Sequence, residues 1–173
     1  MAMKVLAAAL LAIVPLSGRG AEQGAKFPIP QSLVAEHEAL QEALARAVRE
    51  PGPLGAAGRA VEEVLRPHFL REEQIASPPL SLLPRLARGE ASPDMADVLR
   101  MTDQLEAEMP QMLAEHRKIA TALEAFRKAA VAARRDEYVE FADELMLHAQ
   151  NEEQILYPAA LLVGRYVKLK LKR

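Results

Sequence analysis

Two stretches of this chain, "HFLREEQIASP" at residues 68–78 and "HAQNEEQILYP" at residues 148–158, share one pattern: His-x-x-x-Glu-Glu-Gln-Ile-x-x-Pro. Upstream of each lies a second shared stretch, "AEHEAL" at 35–40 and "AEHRKI" at 114–119. The spacing from histidine to histidine is 31 residues in the first half (His37 to His68) and 32 in the second (His116 to His148). The chain therefore reads as a duplicated helical hairpin. All four of its histidines fall inside the duplication.

Apolar residues recur at helical spacing through each half. Leu33, His37, Leu40, Leu44 and Val48 share one face of a first helix, which Ser32 can cap and "PGPLG" (51–55) stops. A second helix places Val61, Leu65, His68, Glu72 and Ile75 on one face and ends at "SPP" (77–79). A Pro- and Gly-rich stretch with a short apolar "LSLL" follows. "SPDM" then starts a third helix, with Ser92 as cap and Pro93 in the first turn. The pattern runs to about Ala133, roughly 60 Å at 1.5 Å per residue, so Pro110 is expected to divide it. The last helix spans about Asp136 to Tyr157 and carries Tyr138, Phe141, Leu145, His148, Glu152 and Ile155, with Pro158 kinking or ending it. Nothing reads as a strand. The expected fold is all-α: an antiparallel up-down-up-down four-helix bundle with a short extra helical segment before helix three.

Hairpin geometry places the histidines at one level. The midpoint between His37 and His68 falls near residue 52, inside "PGPLG". That between His116 and His148 falls at residue 132, beside the polar "ARRDE". Residues equidistant from a turn sit level in an antiparallel hairpin, so each pair should meet across its own hairpin. At 100° per residue Glu72 lies about 40° from His68, while Glu73 lies about 140° away and faces out. Glu152 and Glu153 stand in the same relation to His148.

Four imidazoles and two carboxylates would thus converge in an apolar core, where unpaired carboxylates are very costly. A dinuclear metal centre resolves that cost. With both glutamates bridging, each ion receives two His nitrogens and two carboxylate oxygens. An oxo or hydroxo bridge makes five ligands and leaves one position open. This mixed ligation suits iron, with manganese or zinc as alternatives. A single histidine on an apolar face is ordinarily a hydrogen-bonded core residue, and a single His-x-x-x-Glu pair is ordinarily local helix pairing. Two copies in register are a different matter.

The set of His37, "HFLREE", His116 and "HAQNEEQILYP" resembles the hemerythrin family, in particular its HHE cation-binding domains, over roughly Ile29 to Val167. The resemblance implies a four-helix bundle around a non-haem di-iron centre, two iron ions held by His37, His68, Glu72, His116, His148 and Glu152 with the glutamates as bridges. It implies a protein that binds or senses O2, NO or peroxide, or handles iron. Oxygen carriers of that family place two histidines one turn apart on the third helix. Here Met112 and Ala120 stand one turn from His116. The carriers also end with a His and an Asp five residues apart, where this chain has Glu152 at four. The site thus resembles four-histidine members linked to iron sensing, NO stress or di-iron repair more than reversible carriers. Two alternatives stay open: a di-iron enzyme (a peroxidase, or one serving NO stress or iron-centre repair) and a metal-independent helical interaction module.

Other chemistries find no support. There are no cysteines, which excludes thiolate metal sites, Fe–S clusters and disulfides. Net charge is −2, so no basic footprint for nucleic acid exists, and "KLKLKR" at 168–173 reads as a solvated basic tail. Val34, Leu65, Leu113 and Leu145 occupy the positions three before the histidines, so the Glu-x-x-His pairs of ferritin-like sites are missing. "HEALQ" is not a zinc-protease motif, and "GPLGAAG" reads as a turn. Glu144, one turn before His148, reads as a surface charge, although it could bond an imidazole. Tyr157 follows the last repeat and could border the site, with core packing as its default reading, and Met95, Met101, Met109, Met112 and Met146 read as core filler.

The start of the chain has the layout of an export signal: Lys4, then an apolar run from Val5 to Leu16, then small residues. Residues 1–20 are expected to be a signal peptide, cleaved near 18–21, with the protein exported to a bacterial periplasm. The run is short for a membrane span, so no stable span is expected in the mature form.

Overall fold

The computed structural model describes residues 26–172. Six α-helices follow in order: α1 Gln31–Val48, α2 Gly52–Ile75, α3 Leu83–Ala87, α4 Val98–Ala133, α5 Asp136–Asn151 and α6 Tyr157–Leu171. Short 3-10 turns at Pro78–Leu82 and Pro93–Asp97 flank α3, and a π turn at Glu152–Leu156 joins α5 to α6. Among the described residues there is no strand. The helices α1, α2, α4 and α5 with its continuation α6 form the expected bundle, and α3 is the short extra segment before the third long helix. The expected export signal lies outside the described residues.

Local chemistry sets the two hairpin turns. Gly52 opens α2 at φ +67°, a left-handed backbone that glycine adopts without steric cost. Gly55 lies against the end of α1 so closely that a Cβ there would sit 1.8 Å from the Glu50 carbonyl oxygen. The second turn is made at Arg134, φ 55°, with the Arg135 N–H closing onto the Ala130 carbonyl at 3.1 Å. Neither expected serine cap forms. α1 begins at Gln31 after Pro30, which leaves Ser32 inside its first turn. The Ser92 hydroxyl instead accepts from Arg85 at 3.0 Å.

Two prolines expected or able to break helices do not. Pro110 lies inside an uninterrupted 36-residue α4, and Pro67 lies inside α2. Both rings point to solvent, where a freed carbonyl is satisfied by water. Pro158 does not end the last rod, which runs on through α6 to Leu171, but the α-helical register is interrupted just before it by the π turn. The first part of α4 stays helical because α6 packs along it: Gly164 sits where a Cβ would meet the Thr102 side chain, at 2.1 Å from its hydroxyl oxygen. None of the described helices is long and apolar enough to cross a membrane.

The core is layered along the bundle. One apolar cluster, including Leu40, Leu65, Ile119, Phe126 and Leu145, fills the end nearest the hairpin turns. A second, with Leu33, Ile75, Leu105, Met112 and Tyr157, lies further along. On every long helix the histidine falls between a residue of one cluster and a residue of the other. The polar level is therefore closed off by hydrocarbon above and below. A third cluster, Phe27, Leu82, Leu86, Met95, Val98, Val163 and Val167, seals the far end. Met95 and Met112 are fully buried, as core filler should be.

Candidate metal centre

All six residues singled out by the repeat meet at that polar level. His37, His68, His116 and His148 are 1–4% exposed, Glu72 is 1% and Glu152 is 3%. They form two overlapping groups whose candidate ligand atoms all lie within 4.8 Å of one another. One group is His37, His148, Glu72 and Glu152; the other is His68, His116, Glu72 and Glu152. The two glutamates belong to both, as bridging carboxylates would.

The histidine pairing differs from the hairpin expectation. His37 faces His148 with ring centroids 5.1 Å apart, and His68 faces His116 at 4.5 Å. Each pair joins the two halves of the chain instead of closing one hairpin. Level position follows from distance to the turn, and that part holds. Which neighbour an imidazole shares a ligand group with is set by its direction across the bundle, which the turn does not fix.

Every imidazole is oriented the same way. The Nε2 atoms point inward: His68 Nε2 lies 3.4 Å from Glu72, His116 Nε2 3.3 Å and His148 Nε2 2.8 Å from Glu152, and His37 Nε2 3.7 Å from Glu152. The Nδ1 atoms point outward, each to a second glutamate. His68 Nδ1 donates to Glu115 and His116 Nδ1 to Glu153, both at 2.8 Å, and His148 Nδ1 donates to Glu36 at 2.9 Å. His37 Nδ1 lies 3.7 Å from Glu73. A carboxylate has no proton to give, so Nδ1 carries the hydrogen and Nε2 presents its lone pair to the interior. That is the tautomer a metal-ligating histidine uses.

These outer carboxylates close a ring. Glu36 on α1 serves α5, Glu153 in the π turn serves α4, Glu115 on α4 serves α2, and Glu73 on α2 serves α1. Three of the four imidazoles are hydrogen-bonded from a neighbouring helix in this way, and Glu73 stands 3.7 Å from the fourth. Glu73 and Glu153 lie on the outer side, as expected, and from there Glu153 bonds His116 at 2.8 Å while Glu73 faces His37. Glu144, the weighed alternative, is exposed. The missed signal was present in the sequence. Each outer glutamate sits beside a candidate ligand, in the "AEH" or the "EEQI" stretch, and each of these stretches occurs twice.

Tyr157 meets both of its readings. It is packed in the core, yet its hydroxyl reaches the polar level. It donates a short hydrogen bond to Glu72 Oε1 and lies 3.2 Å from His116 Nε2 and 3.4 Å from His68 Nε2. The π turn brings it there. The Tyr157 N–H bonds to the Glu152 carbonyl, five residues back. Pro158 has no N–H for the Gln154 carbonyl, and its ring crowds that carbonyl; a widened turn relieves both. The inward position one turn after Glu152 then falls on Tyr157. Ile155, expected inside, is 59% exposed.

The donor set fits a cation. Glu72 Oε2 and His148 Nε2 are buried with no hydrogen-bond partner. His148 Nε2 is close to Glu152 but not aligned for a hydrogen bond. Without a cation the two carboxylates divide their roles. Burial, reinforced by the charge of Glu152, pushes Glu72 toward its protonated form. Burial acts on Glu152 in the same sense, but the imidazoles of His116, His148 and His37 that face it outweigh burial and hold its carboxyl well below the usual range. Burial would lower His37, yet Glu152, Glu73 and Glu72 raise it to about 9. Two carboxylates buried at one level cannot both stay ionised unaided, and a bound cation would relieve that conflict.

A four-helix bundle with one buried level of imidazoles and carboxylates, compatible with a metal site, is the class of domain this chain forms. The family model of the Hemerythrin HHE cation binding domain matches residues 29–160, and the chain belongs to this family. Comparison with curated proteins and with solved structures found no match.

Proposed function

We propose that this protein binds two non-haem iron ions and uses them to bind or sense O2, NO or peroxide. One ion would be held by His37, His148, Glu72 and Glu152, the other by His68, His116, Glu72 and Glu152. The observation that carries this reading is the pair of overlapping groups sharing both glutamates, with every Nε2 lone pair turned inward. Imidazole and carboxylate donors suit iron, and also manganese or zinc. Bound iron supplies redox chemistry and a coordination position for a small ligand. The chain's own contribution is to fix the donors. The outer glutamates hold the tautomer, and the two apolar clusters exclude water.

Metal analysis of the purified protein after anaerobic loading with ferrous iron tests this. About two irons per chain are expected. His116→Ala should lose the ion of its own group. A folded wild-type chain with no affinity for iron, manganese or zinc would overturn the reading and favour a metal-independent helical module. Assay of peroxide or NO consumption by the loaded protein then separates a binding protein from an enzyme. The charged-then-apolar start of the chain supports export, which the mass of the protein recovered from the periplasm checks.

A further inference from the structure

The two candidate ion positions are not alike. Beside His37 and His148 stands a hydrocarbon wall: the Phe69 ring stacks on His37 at 4.2 Å with the planes 3° apart, and it meets His148 edge-on at 5.8 Å. Between His68 and His116 stands an oxygen instead, the Tyr157 hydroxyl. The repeat shows where the asymmetry comes from. The residue matching Tyr157 in the first copy is Ser77, which carries only one carbon and a hydroxyl.

The spacing around that hydroxyl is informative. Donors about 2.0–2.2 Å from a shared ion lie about 3 Å apart when adjacent on its coordination sphere. The agreed members of this group show such edges: His68 Nε2 to Glu72 Oε1 is 3.4 Å and His116 Nε2 to Glu152 Oε2 is 3.3 Å. Tyr157 Oη keeps the same edge lengths, 3.2 Å to His116 Nε2 and 3.4 Å to His68 Nε2, and is closer still to Glu72 Oε1. This oxygen is adjacent to three candidate ligand atoms, which is the position of a further vertex.

We infer that Tyr157 is a fifth protein ligand of the ion held between His68 and His116. This rests on the metal reading of the cage. Ligation replaces the phenol O–H bond by an O–metal bond, and the proton leaves to solvent. A phenolate is a hard anionic donor, so this position favours a ferric ion, while the position beside Phe69 lacks that donor.

The chain has three tyrosines, which makes the test clean. Tyr138 Oη is bonded to Glu50 at 2.9 Å, and Tyr166 packs against the apolar cluster at the far end. The full-length protein is loaded with iron and oxidised. Iron content, visible absorption and resonance Raman spectra are then measured on the wild type, Tyr157→Phe and Tyr138→Phe. A phenolate-to-iron(III) band with enhanced tyrosine ring modes is expected in the wild type and in Tyr138→Phe, and is expected to vanish in Tyr157→Phe. Loading should also release one proton more from the wild type than from Tyr157→Phe. Two bound irons without the band in the wild type, or a band that survives in Tyr157→Phe, would overturn the assignment of Tyr157 and leave the metal reading standing. A chain that takes up no metal overturns both. If Tyr157→Phe does not fold, the wild-type Raman spectrum alone decides.

Discussion

The two copies of His-x-x-x-Glu-Glu-Gln-Ile-x-x-Pro begin alike and end differently. Each supplies a histidine and an inward glutamate from successive turns, and each places an i to i−5 hydrogen bond just before its proline: Ser77 N–H to Glu72 and Tyr157 N–H to Glu152. After that proline the first copy leaves the bundle through a 3-10 turn, while the second continues as helix. The continuation takes Ile155 out and Tyr157 in. The two glutamates diverge as well. Glu152 faces the Nε2 atoms of three imidazoles at 2.8–3.7 Å, whereas Glu72 receives the Tyr157 hydroxyl and keeps one oxygen unpaired. A duplication that is symmetric in sequence thus builds a site with two unequal ends.

The sharpest way to break this comparison is to neutralise each glutamate in turn. In chelator-treated protein, Glu152→Gln removes an ionised carboxylate that three histidines face, at an expected cost of about 3–5 kcal/mol in urea unfolding. Glu72→Gln replaces a carboxyl that burial already drives toward neutrality, and should change stability by less than about 1 kcal/mol. With metal present the asymmetry should disappear, because both variants lose a bridging ligand and bind fewer ions. Equal destabilisation of the two metal-free variants would show that the carboxylates are equivalent after all.

The isoleucines test the ends of the two copies. Ile75 is 4% exposed and Ile155 59%. Ile75→Ala should cost about 2–4 kcal/mol, and Ile155→Ala no more than about 0.5 kcal/mol. Comparable losses from thermal unfolding would mean that the widened turn does not persist in solution and that the second copy stays on a regular α-helical register.

This contrast also marks how far the sequence could be read. Helical period and the spacing from each turn were enough to place His37, His68, Glu72, His116, His148 and Glu152 at one buried level, because both depend only on backbone regularity. Ile155 was misplaced because a π turn breaks that regularity, and its cause, the proline after Tyr157, reads equally well as a helix end. Pro110 was misread for a related reason. A proline on a solvent face costs one hydrogen bond, and the packing of α6 along the first part of α4 offsets it, a contact between segments far apart in sequence. The pairing of His37 with His148 depended on side-chain direction between helices, which no local pattern records.

The outer ring offers the gentlest probe. Glu115 supports His68 and is itself held by Gln111 at 2.8 Å, while Glu153 supports His116 and is 41% exposed along its side chain. Replacing either by Gln leaves a group that can still accept from Nδ1–H but removes the charge that makes the imidazole a stronger donor to a cation. Such changes around metal-ligating histidines typically weaken binding by about 10–100-fold. The more buried Glu115, also held by Gln111, should sit at the upper end of that range, and the solvent-screened Glu153 at or below the lower end. Competition of each variant against a chelator of known affinity measures the difference. Glu115→Gln and Glu153→Gln should both keep the wild-type helix content, so any loss of affinity reads on the imidazole and not on the fold. Identical affinities for wild type and both variants would reduce the ring to ordinary surface hydrogen bonding.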